Sequence, residues 1–308
     1  NNIRSLSAWP AERHCGNAMS YVYRSFTREQ IDKQYDVTAN IVNRDALIRR
    51  FVDDSKQYAF ESPCELDVAF GAHVDERADI FYPKKLLSPA PVVVFIHGGY
   101  WHKFTKQEWS FIAASLCERG AIVVVPTYSL CPKVCVSEIL RQMQRFIAWL
   151  HGSVQAHGGD PSRLFLSGHS AGGYMAVSLL LTDWQREYGM PNDVIKGVTT
   201  ISGVYDLEPL QYSYLQSTLH LDNRELCLLS MTEPLQVYRG RGDINCFVGS
   251  GESCEFIRQS RELSERWWAL NHSGVFEVLP GRNHLDILFE LSEPNGRILE
   301  KLVAQMEL

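Results

Sequence analysis

No apolar run in this 308-residue chain approaches eighteen residues, so no stretch of it reads as a membrane-spanning helix. Basic stretches are missing too: 30 Lys and Arg stand against 36 Asp and Glu, for a net charge of -6. With no RNP-type aromatic motif either, a nucleic-acid-binding surface is excluded. None of the eight cysteines (Cys15, Cys64, Cys117, Cys131, Cys135, Cys227, Cys246, Cys254) forms a C-x-x-C pair. Cys131-x-x-x-Cys135 has half the spacing of a zinc site, but no second pair follows, so the cysteines read as reduced thiols in a cytoplasmic protein. Internal repeats and low-complexity tracts are absent. Residues 1–18 mix Arg4, Glu12, Arg13 and His14 with no apolar h-region, which excludes an ordinary secretory signal. Position 1 is not methionine and Met19 is the first one. Residues 1–18 are therefore expected to be a processed or appended leader, and 19–308 one folded unit.

With 45% hydrophobic residues the chain can bury a large core. Residues 28–60 carry Ile31, Tyr35, Leu47, Ile48, Phe51 and Val52 at helical spacing, which predicts a helical N-terminal segment lying across the main body. Leu66–Phe70 and Ala78–Tyr82 alternate apolar and polar residues and predict two antiparallel strands with one wet face. Short apolar runs then alternate with amphipathic segments: strands at 92–96, 121–125, 164–167, 197–202, 245–249 and 275–279, and helices at 107–118, 137–157, 172–184, 255–271 and 295–307. The expected fold is α/β, a mostly parallel eight-stranded sheet with helices on both faces. Residues 203–243, with short helical patches broken by Pro209 and Pro234, read as a small cap-like insertion.

Two turns at the carboxyl ends of these strands carry the chemistry. Leu164-Phe165-Leu166 runs into Gly168-His169-Ser170-Ala171-Gly172-Gly173, and a helix leaves it. A G-x-S-x-G corner between strand and helix lifts a serine hydroxyl above the sheet, and only glycine fits beside it. Upstream, the apolar run 91–96 ends in His97-Gly98-Gly99-Tyr100-Trp101, where backbone N–H groups of Gly98 or Gly99, with that of Ala171, can form an oxyanion hole. Tyr100 and Trp101 are expected to wall the leaving-group side.

A serine hydroxyl needs a base, and histidine suits both halves of the proton transfer. In the order serine, acid, histidine the base follows the last strand; His284 does so, whereas His272 precedes it. The acid should leave the preceding strand, where Glu252 lies on the loop and Glu255 opens a helix. Glu252 is preferred, with Asp206 the outside alternative, while Asp243 lies at the wrong end of the sheet. His97, His102 and His169 cluster in sequence, but a supporting role for His97 in the turn is favoured over zinc, and no metal or organic cofactor is required.

Through H-G-G-Y-W, G-H-S-A-G-G and N-H-L-D-I, the chain resembles the kynurenine formamidase (arylformamidase) branch of the hormone-sensitive-lipase-like α/β-hydrolases. The likeness extends to Gln30–Tyr35, Leu66–Pro83 and Cys254–Ser260, nearly everything after Met19. It implies a triad of Ser170, Glu252 and His284, although the family usually offers aspartate where Glu252 stands. It also implies hydrolysis of N-formyl-L-kynurenine, a small aromatic formamide, to L-kynurenine and formate in tryptophan breakdown. A homodimer is compatible with this reading. The competing functions are a general carboxylesterase using the same machinery and, more remotely, a non-catalytic hydrolase-like binding protein.

Overall fold

A computed structural model describes residues 20–87, 89–238, 240 and 242–308; the expected leader 1–18 lies outside the described residues. The strands are β1 (Cys64–Ala69), β2 (Arg77–Phe81), β3 (Ala90–Ile96), β4 (Ile122–Pro126), β5 (Gly159–His169), β6 (Ile195–Ile201), β7 (Asp243–Gly249) and β8 (Phe276–Leu279). They form one sheet in the order β1-β2-β4-β3-β5-β6-β7-β8. β2 runs antiparallel to β1 and β4, and the remaining pairs are parallel.

The helices are α1 (Arg28–Tyr35), α2 (Arg44–Glu61), α3 (Ala113–Glu118), α4 (Val136–Ser153), α5 (Ala171–Leu180) and α6 (Trp184–Tyr188). Then follow α7 (Gln216–Leu219), α8 (Asn223–Leu229), α9 (Thr232–Val237), α10 (Cys254–Ala269), α11 (Phe289–Ser292) and α12 (Arg297–Gln305). Strand alternation divides the core in two. Val92, Val94 and Ile96 of β3 pack with residues of α1, α4, α5 and α10. Val93 and Phe95 face the other way, toward α2, α3, α11 and α12.

Four expectations from the sequence are corrected here. The N-terminal helical segment is two helices: Asp36 caps α1, and the 36–43 connection, with β-branched residues and two asparagines, takes the chain to the opposite face of the sheet. The wet face expected for the second opening strand is absent, because β2 is an interior strand between β1 and β4 and its residues 78–81 are buried on both sides. The helix expected over 107–118 is two 3-10 turns followed by α3. A capping box from Thr105 to Glu108 starts this segment, and buried Trp109, outside helical geometry, interrupts it. The long helix expected to end at 157 gives way after Ser153 to a 3-10 turn closed by Gly158 in the left-handed region.

Residues 203–238 fold as a 3-10 turn at Glu208–Tyr212 and the short helices α7, α8 and α9. Leu207, Leu210, Leu215, Leu219, Leu221, Leu229, Met231 and Leu235 are buried in the same core as α4 and α10.

On the opposite face, Phe51 of α2 is nearly fully buried; its ring stacks on Phe111 at 4.9 Å and meets Trp109 at 5.8 Å and Phe289 edge-on at 5.6 Å. Phe51→Ala should cost about 3–5 kcal/mol by lost burial and cavity formation. Urea denaturation measures it; a loss under about 1 kcal/mol would mean that α2 is held mainly by other contacts.

Candidate active site

β5 ends in His169, and Ser170 turns the corner into α5 with φ 56° and ψ -120°. A β-carbon added at Gly168 would lie 2.2 Å from the carbonyl oxygen of Gly172, and one at Gly172 would lie 1.9 Å from that of Ile96. Backbone therefore packs on backbone on both sides of the serine. The strained Ser170 geometry is fixed by its N–H donating to the Ile201 carbonyl (2.9 Å) and its carbonyl accepting from Gly173 (2.9 Å). Its hydroxyl is buried, and no described residue bonds to it.

The structure places Glu252 beside His284, and Ser170 and His284 line one cleft. His284, on the loop after β8, donates from Nδ1 to Oε2 of Glu252 at 2.6 Å. Both side chains are buried, at 4% and 2% exposed. The other carboxylate oxygen of Glu252 accepts from the Gly249 N–H (2.7 Å) and the Ser202 hydroxyl (2.5 Å). With Nδ1 protonated toward the carboxylate, the basic nitrogen of His284 is Nε2. Phe256 meets the ring edge-on at 5.0 Å and His169 lies tilted against it at 4.7 Å.

The alternative acids are elsewhere. Glu255 accepts from the Tyr35 hydroxyl at 3.0 Å and from Arg258 Nη2 at 2.7 Å. Asp206 accepts from the Tyr23 hydroxyl and lies 3.8 Å from Arg258. Asp243 opens β7, at the far end from Gly249.

Ser170 and His284 line a cleft of about 350 Å³ together with Gly99, Tyr100, Trp109, His169 and Tyr214. No described residue accepts a hydrogen bond from the amide of Gly98, Gly99 or Ala171. Gly99 has φ +109°, and a β-carbon there would strike the Lys103 carbonyl at 2.4 Å. Tyr100 borders the cleft, its hydroxyl donating to the Tyr35 carbonyl at 2.9 Å. Trp101 does not: it is 0% exposed and packs edge-on against Tyr174 at 5.6 Å, because the turn after Tyr100 drives its ring into the core. Its expected place in the wall is taken by Trp109 and Tyr214. Tyr214 comes from the 203–238 segment, while the 36–48 region adds Asp36, Val37, Thr38, Arg44, Asp45 and Ile48. A larger cavity of about 420 Å³ lies between the 203–238 segment and α10 and includes neither Ser170 nor His284.

His169 is the residue that sequence reasoning undervalued. Its Nε2 donates to the His284 carbonyl at 2.8 Å, tying the loop of the second imidazole to the strand end that carries Ser170. Its place beside the serine in G-H-S-A-G was a signal. His97 donates from Nδ1 to the Gly98 carbonyl at 2.8 Å and stacks on Tyr128 at 4.3 Å, which braces the glycine turn. Among the described residues no group of three or more His, Cys, Asp or Glu could hold a metal ion. No helix of the described residues is long and apolar enough to cross a membrane.

Burial lowers the pKa of His97 to about 4, opposed by its bond to Gly98. Burial, and next the neighbouring His284, lower that of His169 well below the ordinary histidine value. Both are neutral when folded and regain about 6.5 on unfolding. Below that pH the unfolded chain binds the extra protons. Stability is therefore full above about pH 6.5 and falls toward pH 4, by up to about 1.4 kcal/mol per pH unit for each imidazole. Urea denaturation at steps of about one pH unit should show this slope, and His169→Gln should flatten it. A slope unchanged in the variant would count against a neutral, buried His169.

Comparison with known proteins adds the relatives. The BD-FAE family model matches residues 78–230. The chain is 30% identical over 297 residues to a kynurenine formamidase of Danio rerio, spanning 92% of this chain and 98% of that protein. It is 28% identical over 263 residues to a kynurenine formamidase of Drosophila melanogaster, across 80% of this chain and 84% of that one. Among solved structures it is similar to a provisionally assigned thioesterase of Silicibacter sp. tm1040, with TM-score 0.76, 26% identity and coverage of 91% and 99%. An esterase of the bacterial hormone-sensitive lipase family shares the architecture at TM-score 0.64 and 20% identity, with 85% and 98% covered.

Proposed function

The chain belongs to the kynurenine formamidase family, carried on the α/β-hydrolase fold, and we propose that it hydrolyses N-formyl-L-kynurenine to L-kynurenine and formate. The observation that carries this reading is the Glu252–His284 bond of 2.6 Å beside a serine held at the strand-to-helix corner of one cleft.

In the proposed reaction Ser170 Oγ attacks the formyl carbon while His284 Nε2 takes the hydroxyl proton. Glu252, fixed by Ser202 and Gly249, holds the imidazole tautomer and stabilises the imidazolium. The oxyanion is received by the amides of Ala171 and of Gly98 or Gly99. Collapse breaks the C–N bond as His284 returns its proton to the aniline nitrogen, and L-kynurenine leaves. Water, deprotonated by His284, then attacks the formyl ester, releasing formate and restoring Ser170. Ser170 Oγ has no hydrogen-bond partner among the described residues, and in the proposed reaction its bond to His284 Nε2 forms with substrate in the cleft. The free thiols among the described cysteines support a cytoplasmic setting.

Turnover of N-formyl-L-kynurenine should far exceed that of short p-nitrophenyl esters, and a fluorophosphonate should label Ser170. Esters outpacing the formamide would favour a general carboxylesterase, and an unlabelled Ser170 in folded protein a binding role. Glu252→Gln should lower kcat roughly a thousandfold or more with the fold intact. Glu255→Gln should instead cost about 1–3 kcal/mol of stability, because its carboxylate partners Arg258 and Tyr35. Steady-state kinetics and denaturation on both variants separate the roles; the reverse pattern would move the acid to Glu255.

A further inference from the structure

We infer that the lip of the cleft reads the α-amino acid end of the substrate, Asp36 receiving the ammonium and Lys103 the carboxylate. The inference rests on the aryl formamide reading above and deepens it.

Apart from histidines, the ionisable side chains lining the cleft from outside the triad are Asp36, Tyr100, Arg44, Asp45, Lys103 and Tyr214. The two phenols remain neutral, since burial raises both. Arg44 and Asp45 are paired with each other at 3.0 Å. Among the described residues Asp36 and Lys103 form no ion pair, although Thr38 donates a long 3.5 Å bond to Asp36. One carboxylate and one ammonium are thus left at the opening of a single cleft. A substrate bearing an ammonium and a carboxylate on one carbon complements both at once, whereas a neutral ester complements neither.

Both groups stand on fixed backbone. The Asp36 N–H donates to the Asp32 carbonyl at 2.8 Å, and the α1 helix that it caps is held by Tyr35, whose hydroxyl reaches buried Glu255. After burial itself, the charge of Asp36 is the largest cause raising the Tyr214 phenol, to about 12, and it also raises that of Tyr100. Its field therefore acts on the cleft wall rather than only on solvent. The Lys103 N–H donates to the Gly99 carbonyl at 3.1 Å, so its side chain springs from the same turn that offers an oxyanion amide. The same cleft is lined by Val37, Ile48, Phe104, Trp109, Tyr214 and Leu285, an apolar and aromatic surface suited to the substrate's ring, while Asp36 and Lys103 are exposed and Ser170 is buried.

The test compares N-formyl-L-kynurenine with 2-formamidoacetophenone, which keeps the aromatic formamide and the ketone but lacks the amino acid. Asp36→Asn and Lys103→Gln should each lower the ratio of kcat/KM for the first substrate over the second about tenfold, chiefly through KM, as expected for loss of one partly exposed charge-assisted contact. Asp36→Glu and Lys103→Arg should recover most of it. A ratio within about twofold of wild type in both Asp36→Asn and Lys103→Gln overturns the lip assignment alone. Wild-type protein that turns over neither formamide overturns the formamidase reading and this inference with it.

Discussion

The site depends on how closely the backbone after β5 approaches the backbone after β3. With 1.9 Å between a β-carbon at position 172 and the Ile96 carbonyl oxygen, no side chain fits there, and the corner at Ser170 is pressed against the glycine turn that follows His97. This contact brings a hydroxyl and free amides to one point without any side chain reaching across. The placing of that hydroxyl against those amides thus rests on main chain, the least adjustable part of the molecule. The imidazole is added from the far edge of the parallel sheet, and His169 ties its loop to the same strand end.

The sheet sets the walls as well as the floor. Because α1 packs on one face and α2 on the other, their connection must cross the carboxyl edge of the strands, where the cleft opens. Tyr214 from the 203–238 segment also lines this cleft, tied to α1 by its N–H donating to Asp32 at 2.6 Å. The walls thus belong to segments bound to one another through α1, whose Tyr35 carbonyl also holds the Tyr100 hydroxyl.

Sequence reasoning reached the eight strands and the alternation of the sheet because buried parallel strands read as unbroken apolar runs. It singled out Ser170 and His284 because their turns carry residues that only a special backbone needs, and both side chains line one cleft. Glu252 was separable from Glu255 by position relative to a strand end, a signal strong enough to rank them. What it could not reach depends on three-dimensional neighbours. The break at 36–43 is invisible to periodicity, since Ile41 and Val42 look as apolar as the helices around them, yet Val42 is fully exposed. Trp101 and Trp109 have the same chemistry; only the turn geometry sends the first into the core and the second to the cleft. The bond from His169 to the His284 carbonyl joins residues 115 apart in the chain, which no local pattern records.

The order of the chain also bears on how the site is assembled. The corner at Ser170 needs β6, which supplies the Ile201 carbonyl, and Glu252 follows β7, but His284 comes only after β8, the edge strand. The carboxylate–imidazole pair therefore hangs on the outermost seam of the sheet, so fraying of β8 from β7 would part His284 from Glu252 while leaving the serine corner, anchored on interior strands, in place.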